Sequence, residues 1–146
     1  MSIDHRHVYG IMLDTETANT IEDNGKLDMS NALPYDLGFA VIDSHGTVYE
    51  TFSFVLSDIF EHERELMKSA YYANKIAQYE REIAEGKRVV ATAYEVRKLM
   101  CDKIAEYMAV FVCAHNMRFD HNACNNLQRW TTKSKYRYFF PYGVEL

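Results

Sequence analysis

A short apolar run, residues 8–13, leads directly into Asp14-Thr15-Glu16-Thr17, which carries two acids spaced by one residue. Such a run reads as a buried strand, and in a strand residues i and i+2 point to the same face. Asp14 and Glu16 can therefore share a ligand. Later in the chain comes Ala114-His115-Asn116-Met117-Arg118-Phe119-Asp120, again after an apolar run. A third carboxylate from Asp120 would complete the kind of hard-oxygen cluster that holds Mg²⁺ or Mn²⁺. That combination points to metal-assisted phosphodiester chemistry.

Around these two motifs the coarse pattern is α/β. Residues 8–13 and 110–114 are buried-strand candidates. Residues 17–35 contain Asn, Asp, Gly, Ser and Pro and read as a long loop. Residues 36–43 and 47–55 are rich in β-branched and aromatic side chains, and Ser44-His45-Gly46 between them supplies the turn of an antiparallel hairpin. From residue 57 to 85 the period becomes helical: Leu66, Ala70, Ala73 and Ala77 form one stripe, and Tyr72, Ile76, Tyr79 and Ile83 another. Gly86 closes that stretch. Thr92 and Glu95 form a capping box for a helix striped by Val96, Leu99, Met100, Ile104 and Tyr107. A last helix is expected to begin near Phe119. Strands linked by turns are antiparallel, whereas the strand reached through a helix is expected parallel to the first. The acids then fall at the carboxyl ends of adjacent central strands, where open α/β sheets bind ligands.

With 146 residues, 48% of them hydrophobic and 25% charged, the sequence specifies one globular domain, residues 1–146. No apolar run approaches the roughly 20 residues of a membrane span, and the start lacks a signal-like stretch. A cytoplasmic location without membrane association follows as an expectation. Three cysteines, Cys101, Cys113 and Cys124, fit reduced thiols in a core better than a disulfide framework. Cys113, His115, His121 and Cys124 lie close together, but their spacing matches no common structural zinc pattern.

The net charge of −5 argues against indiscriminate coating of nucleic acid. Its distribution is uneven. Between residues 125 and 140 stand Arg129, Lys133, Lys135 and Arg137 with no acid among them. A metal-filled acidic pocket beside this basic strip would suit a phosphate-bearing substrate. Trp130, Tyr136 and Tyr138 within the strip, and Tyr71, Tyr72 and Tyr79 elsewhere, are candidates for base stacking, although helical spacing favours a core role for Tyr72 and Tyr79.

Clustered carboxylates repel one another, and a divalent ion removes that penalty. With two ions about 3.5–4 Å apart, one activates a water while the other stabilises the leaving oxygen. Asp14 would bridge the ions, with Glu16 on the water side and Asp120 on the other. Asn116, at i and i+4 with Asp120, can share one side of the helix start or simply cap it. The chain offers no Ser-His-Asp set and no Gly-rich phosphate loop.

Asp14-x-Glu16 after an apolar strand resembles the first motif of the DEDD 3′–5′ exonucleases, the proofreading, DnaQ-like superfamily with a ribonuclease-H-like fold. His115-Asn116-x-x-Phe119-Asp120 is similar to the second motif. Tyr35-Asp36-Leu37-Gly38-Phe39-Ala40-Val41 resembles the strand bearing that family's Ile-Gly pair, with Leu37 in place of Ile. The likeness covers residues 8–127, while the long loop before Pro34 and the segment 61–86, which is longer than in compact relatives, fit it less well and resemble loops of phage members. The resemblance implies a mixed sheet flanked by helices and two Mg²⁺ or Mn²⁺ ions. It also implies release of nucleoside monophosphates from a single-stranded 3′ end, with a polymerase or other replication protein as possible partner. It assigns Asp14, Glu16 and Asp120 to catalysis and metal binding. Thr15, Thr17, Asn116, Phe119, Arg129, Lys133, Lys135 and Arg137 are the expected substrate contacts.

The family's third motif, a His or Tyr general base followed a few residues later by Asp, is missing: after Asp120 there is His121 and no further Asp. A weakly active enzyme, truncated before its closing helices, is the leading expectation. The alternatives are a noncatalytic nucleic-acid- or partner-binding remnant of the same fold and a ribonuclease-H-type endonuclease.

Overall fold

The computed structural model describes residues 2–19, 24–26, 30–70 and 72–127, and the backbone alone at 20–21, 27–29, 132–134, 137–138 and 142–145. Its first strand, β1 (Tyr9–Ile21), starts where the apolar run does but does not stop at the acids. It continues through Thr17 and Ile21, and β2 (Leu27–Asp43) returns alongside it. The expected loop at residues 17–35 is thus the distal half of a long hairpin. Thr17, Thr20 and Ile21 are β-branched and suit a pleated surface, and Asn24-Gly25 supplies the reversal, with Gly25 at φ +81°. Two register shifts, at Glu16/Thr17 and Ala18/Thr20, let the extension bend.

The turn at residues 44–46 forms as expected. Gly46 is at φ +85°, and its N–H bonds to the Asp43 carbonyl at 3.0 Å. It leads into β3 (Val48–Leu56), antiparallel to β2. Next come α1 (Ser57–Phe60), α2 (Arg64–Met67), a single 3-10 turn (Ala73–Lys75) and α3 (Ile76–Ala84). The single helical stretch expected over 57–85 is therefore broken. Tertiary contact explains the break: Ala70 forms an isolated antiparallel bridge with Ala18, and the Ser69 hydroxyl donates to the Asn19 carbonyl. Those bonds cover the edge of the β1 extension, and local helical propensity yields to them.

After β4 (Val90–Ala91), the capping box is complete: the Glu95 N–H bonds to Thr92 Oγ1 at 3.1 Å, and the Thr92 N–H bonds to Glu95 Oε2 at 2.9 Å. It opens α4 (Ala93–Tyr107), which buries Val96, Met100 and Tyr107. β5 (Phe111–Ala114) then pairs parallel to β1, as the crossover rule requires, and α5 (Met117–Asn126) follows. β6 (Thr132–Ser134) and β7 (Arg137–Tyr138) form a separate two-stranded ribbon, and β8 (Tyr142–Glu145) lies parallel to β5. The main sheet has the order β4-β3-β2-β1-β5-β8 and mixes antiparallel and parallel pairs. Its buried face carries Ile11, Leu13, Leu37, Phe39, Val41 and Val112. Among the described residues no helix is long and apolar enough to cross a membrane.

Candidate active site

β1 pairs with β5 only through Met12, so the sheet narrows where the acids begin. From there on β2 is the ladder partner of β1, joined only at Ala18 by the bridge to Ala70 among the described residues. Alternation sends Ile11, Leu13, Thr15 and Thr17 into the core, and turns Met12, Asp14 and Glu16 to the opposite face. Asp14 is exposed and Glu16 half-buried. The shared face expected of these two acids is present.

The hairpin register then adds an acid that sequence spacing did not reveal. Glu16 lies opposite Asp36, and Asp14 opposite Gly38. Directly opposed residues of an antiparallel pair project to the same side, with Cβ atoms about 4.5–5.5 Å apart. Gly38 keeps the floor beside Asp14 open, since a Cβ there would touch only the Phe52 carbonyl, at 3.6 Å. The alternation of Tyr35, Leu37, Phe39 and Val41 against Asp36, Gly38 and Ala40 held the clue, but only the pairing register gives it meaning.

A second wall comes from the 72–88 segment. Asp14, Glu16, Asp36, Gly38 and Ser53 form one side of a cavity of about 360 Å³, and Tyr72, Lys75, Gln78, Tyr79 and Arg88 the other. Asp36 is tied to that wall. Tyr79 Oη donates to Asp36 Oδ2 at 2.5 Å, and Arg88 Nη1 donates to the same oxygen at 3.3 Å. Arg88 also stacks on the Tyr79 ring, 3.8 Å from its centroid, and bonds Glu82 through Nε. Tyr79 is buried against Phe60 and Tyr35, in keeping with the core role that its spacing suggested. Burial and the bond to Asp36 push its phenol pKa well above the usual range, so it remains a donor.

Asp120 takes a different position. Its Oδ1 accepts from the Thr15 N–H at 3.1 Å and from Thr15 Oγ1 at 2.7 Å. Past the end of β5 that N–H has no strand partner, and the carboxylate of α5 fills the role. Thr15, Thr17 and Asp120 are each no more than 7% exposed. Thr17 is bonded to buried Asn19 at 2.9 Å and points away from the cavity, as Thr15 does. Asn116 is exposed at the N-cap position of α5 and makes no side-chain capping bond, and Phe119 is half-buried. Arg129 and Lys135, with Tyr71, Trp130 and Tyr136, lie outside the described residues. So do the side chains of Lys133, Arg137 and Tyr138.

The electrostatics separate the acids further. Burial raises the pKa of Glu16, the charges of Asp14, Asp36 and Asp120 raise it more, and Lys75 opposes them. Asp36 is also raised, chiefly by burial, against the Tyr79 bond and the Arg88 charge. Burial raises Asp120 too, with the Thr15 bonds pulling the other way. Asp120 is thus felt by both Asp14 and Glu16 while its oxygen is engaged by Thr15.

These donors are chemically suited to a divalent ion. Among the described residues neither the Asp14 nor the Glu16 carboxylate has a hydrogen-bond or ion-pair partner, and their neighbours raise the cost of ionising Glu16. A bound cation is what removes such a cost. The described side chains hold no ready-made group of three His, Cys, Asp or Glu ligands, which also covers the Cys113–Cys124 cluster. Cys113 and Cys124 are buried thiols whose pKa burial pushes up.

Neither a known family model nor a curated protein matches the chain.

Proposed function

We propose that this chain is a metal-dependent nuclease that hydrolyses phosphodiesters from single-stranded 3′ ends, with a ribonuclease-H-like fold and weak turnover. The observation that carries the reading is the pair Asp14 and Glu16, side by side on the open face of β1, their carboxylates without a bonded partner among the described residues. The antiparallel β1–β2–β3 sheet with parallel β5 on the far side of β1 agrees with the fold that the motifs imply. The setting would be the cytoplasm, beside a polymerase or other replication protein.

A bound Mg²⁺ or Mn²⁺ would activate a water and stabilise the leaving oxygen. Asp14 and Glu16 would hold it. Thr15 fixes Asp120 immediately behind them, and Tyr79 with Arg88 fixes Asp36 beside Glu16, so the acidic face is positioned before any ligand arrives. Residues 121–146 contain no His or Tyr followed by Asp, as the third motif would require. General-base help is worth about 10²–10⁴-fold, which accounts for the weak turnover proposed.

One feature favours a second reading, a noncatalytic nucleic-acid-binding module: Asp120 and Asp36 are already bonded within the protein. Mn²⁺-dependent degradation of 5′-labelled linear and of circular single strands, DNA and RNA, separates the readings. Slow shortening from the 3′ end, abolished by Asp14→Asn, is the expected result. Cleavage of circles would instead mean an endonuclease, and binding without any cleavage would mean the noncatalytic module.

A further inference from the structure

The cavity's second wall carries two cations, Lys75 and Arg88. Arg88 is neutralised by Asp36 and Glu82. Lys75 lines the cavity and has no carboxylate partner among the described residues. Its ammonium instead sits over the Tyr72 ring, 4.2 Å from the centroid. An aromatic face holds a cation without cancelling its charge, so the ammonium is restrained yet keeps its capacity for an anion. It is close enough to the acidic face to favour the charged form of Glu16.

We propose that Lys75, positioned by Tyr72, is the phosphate-binding residue of a nucleotide subsite in this cavity. The proposal deepens the nuclease reading and rests on it for the class of ligand. About 360 Å³ lies within the roughly 300–1,000 Å³ of small-ligand pockets and takes one terminal nucleotide. A divalent ion on Asp14 and Glu16 would offset the repulsion between the acidic wall and the phosphate. Lys75 then meets the phosphate from the opposite side. Tyr72 is a positioning residue, because it acts through Lys75.

The test is binding, which does not require turnover. The 146-residue chain is titrated calorimetrically with a nucleoside 5′-monophosphate, the parent nucleoside and a four-nucleotide single strand, each with and without Mn²⁺. Lys75→Gln should weaken the monophosphate by about tenfold and leave the nucleoside unchanged, as expected for one lost charge-assisted contact. Tyr72→Leu should cost about two- to fivefold, and Tyr72→Phe, which keeps the ring, should restore affinity. Lys98→Gln, an exposed lysine on α4, serves as the control. A larger loss for the four-nucleotide strand than for the free monophosphate identifies a strand end as the natural ligand, and an equal loss identifies a free nucleotide. Equal monophosphate affinity in Lys75→Gln and the parent, or no binding by the parent, overturns the proposal. Lys75-dependent binding without Mn²⁺-dependent hydrolysis would keep the subsite and discard the nuclease.

Discussion

The two faces of β1 treat their polar groups in opposite ways. On the core side, Thr15, Thr17, Asn19 and Asp120 are buried, and bonds join Thr15 to Asp120 and Thr17 to Asn19. On the open side, the carboxylates of Asp14 and Glu16 have no bonded partner among the described residues, and Asp36 pushes on Glu16 from the neighbouring strand. Buried polar groups are tolerated when satisfied, so the core side reads as structure. Unsatisfied like charges kept together cost stability, so the open side reads as a place for a ligand. Asp120, one of the three acids expected to converge, sits between these roles: its bonds belong to the core side and its charge reaches the open one.

The sharpest way to break this contrast is to remove Asp120. Asp120→Ala leaves the Thr15 N–H and hydroxyl buried without an acceptor. Each orphaned group costs about 1–3 kcal/mol, so a total loss of about 2–6 kcal/mol is expected. Asp120→Asn keeps an acceptor oxygen and should cost less than half as much. Asp14→Asn, by contrast, should barely change stability. Urea unfolding of the three variants measures this. If Asp14→Asn proved as costly as Asp120→Ala, the two faces would not differ in kind.

Much of this arrangement is legible in the sequence. The period-2 run into Asp14 and Glu16 placed both acids on one face. The Thr92–Glu95 box located α4, and Ser44-His45-Gly46 located the β2–β3 turn. The failures have physical causes. Residues 17–35 read as a loop because they contain Asn, Asp, Gly, Ser and Pro, yet a hairpin exposing one face tolerates polar residues on it. Residues 57–85 looked like one helix because a stripe records burial but not the Ala70–Ala18 bridge that interrupts it. Asp36, Lys75 and Arg88 were invisible as site residues because strand register and chain crossing bring them together.

A middling effect is expected where the two walls of the cavity are joined. Tyr79→Phe removes the hydroxyl that donates to Asp36 and leaves Arg88 as its remaining tie. Bonds to charged groups are worth about 1.5–3 kcal/mol when well buried, and partial exposure of Asp36 brings the expected loss to about 1 kcal/mol. The Tyr79 bond also lowers the pKa of Asp36, so the variant's Asp36 should titrate at higher pH. NMR titration of the Asp36 carboxyl carbon would follow it. An unmoved midpoint would mean that burial alone governs this acid.

The smallest effect sharpens the contrast most, because its sign is reversed. Glu16 binds its proton more tightly in the folded chain than its ordinary value of 4.5, through burial and the neighbouring acids. A carboxyl raised in this way contributes stability that is fully present below its unfolded value. That contribution is lost as pH rises through the folded value. Glu16→Gln cannot ionise and is spared the loss. It should therefore melt slightly above the parent at pH 7, by about 1–2 °C, and the difference should vanish below about pH 4, where the parent's Glu16 is protonated. Saturating Mn²⁺ at pH 7 should reverse the order, since only the parent keeps both ligands and gains the stabilisation that binding confers. Thermal melts at both pH values, with and without the ion, test the whole sequence. A difference that ignores pH would place its origin in packing, and an unreversed order in Mn²⁺ would remove Glu16 from the cation site.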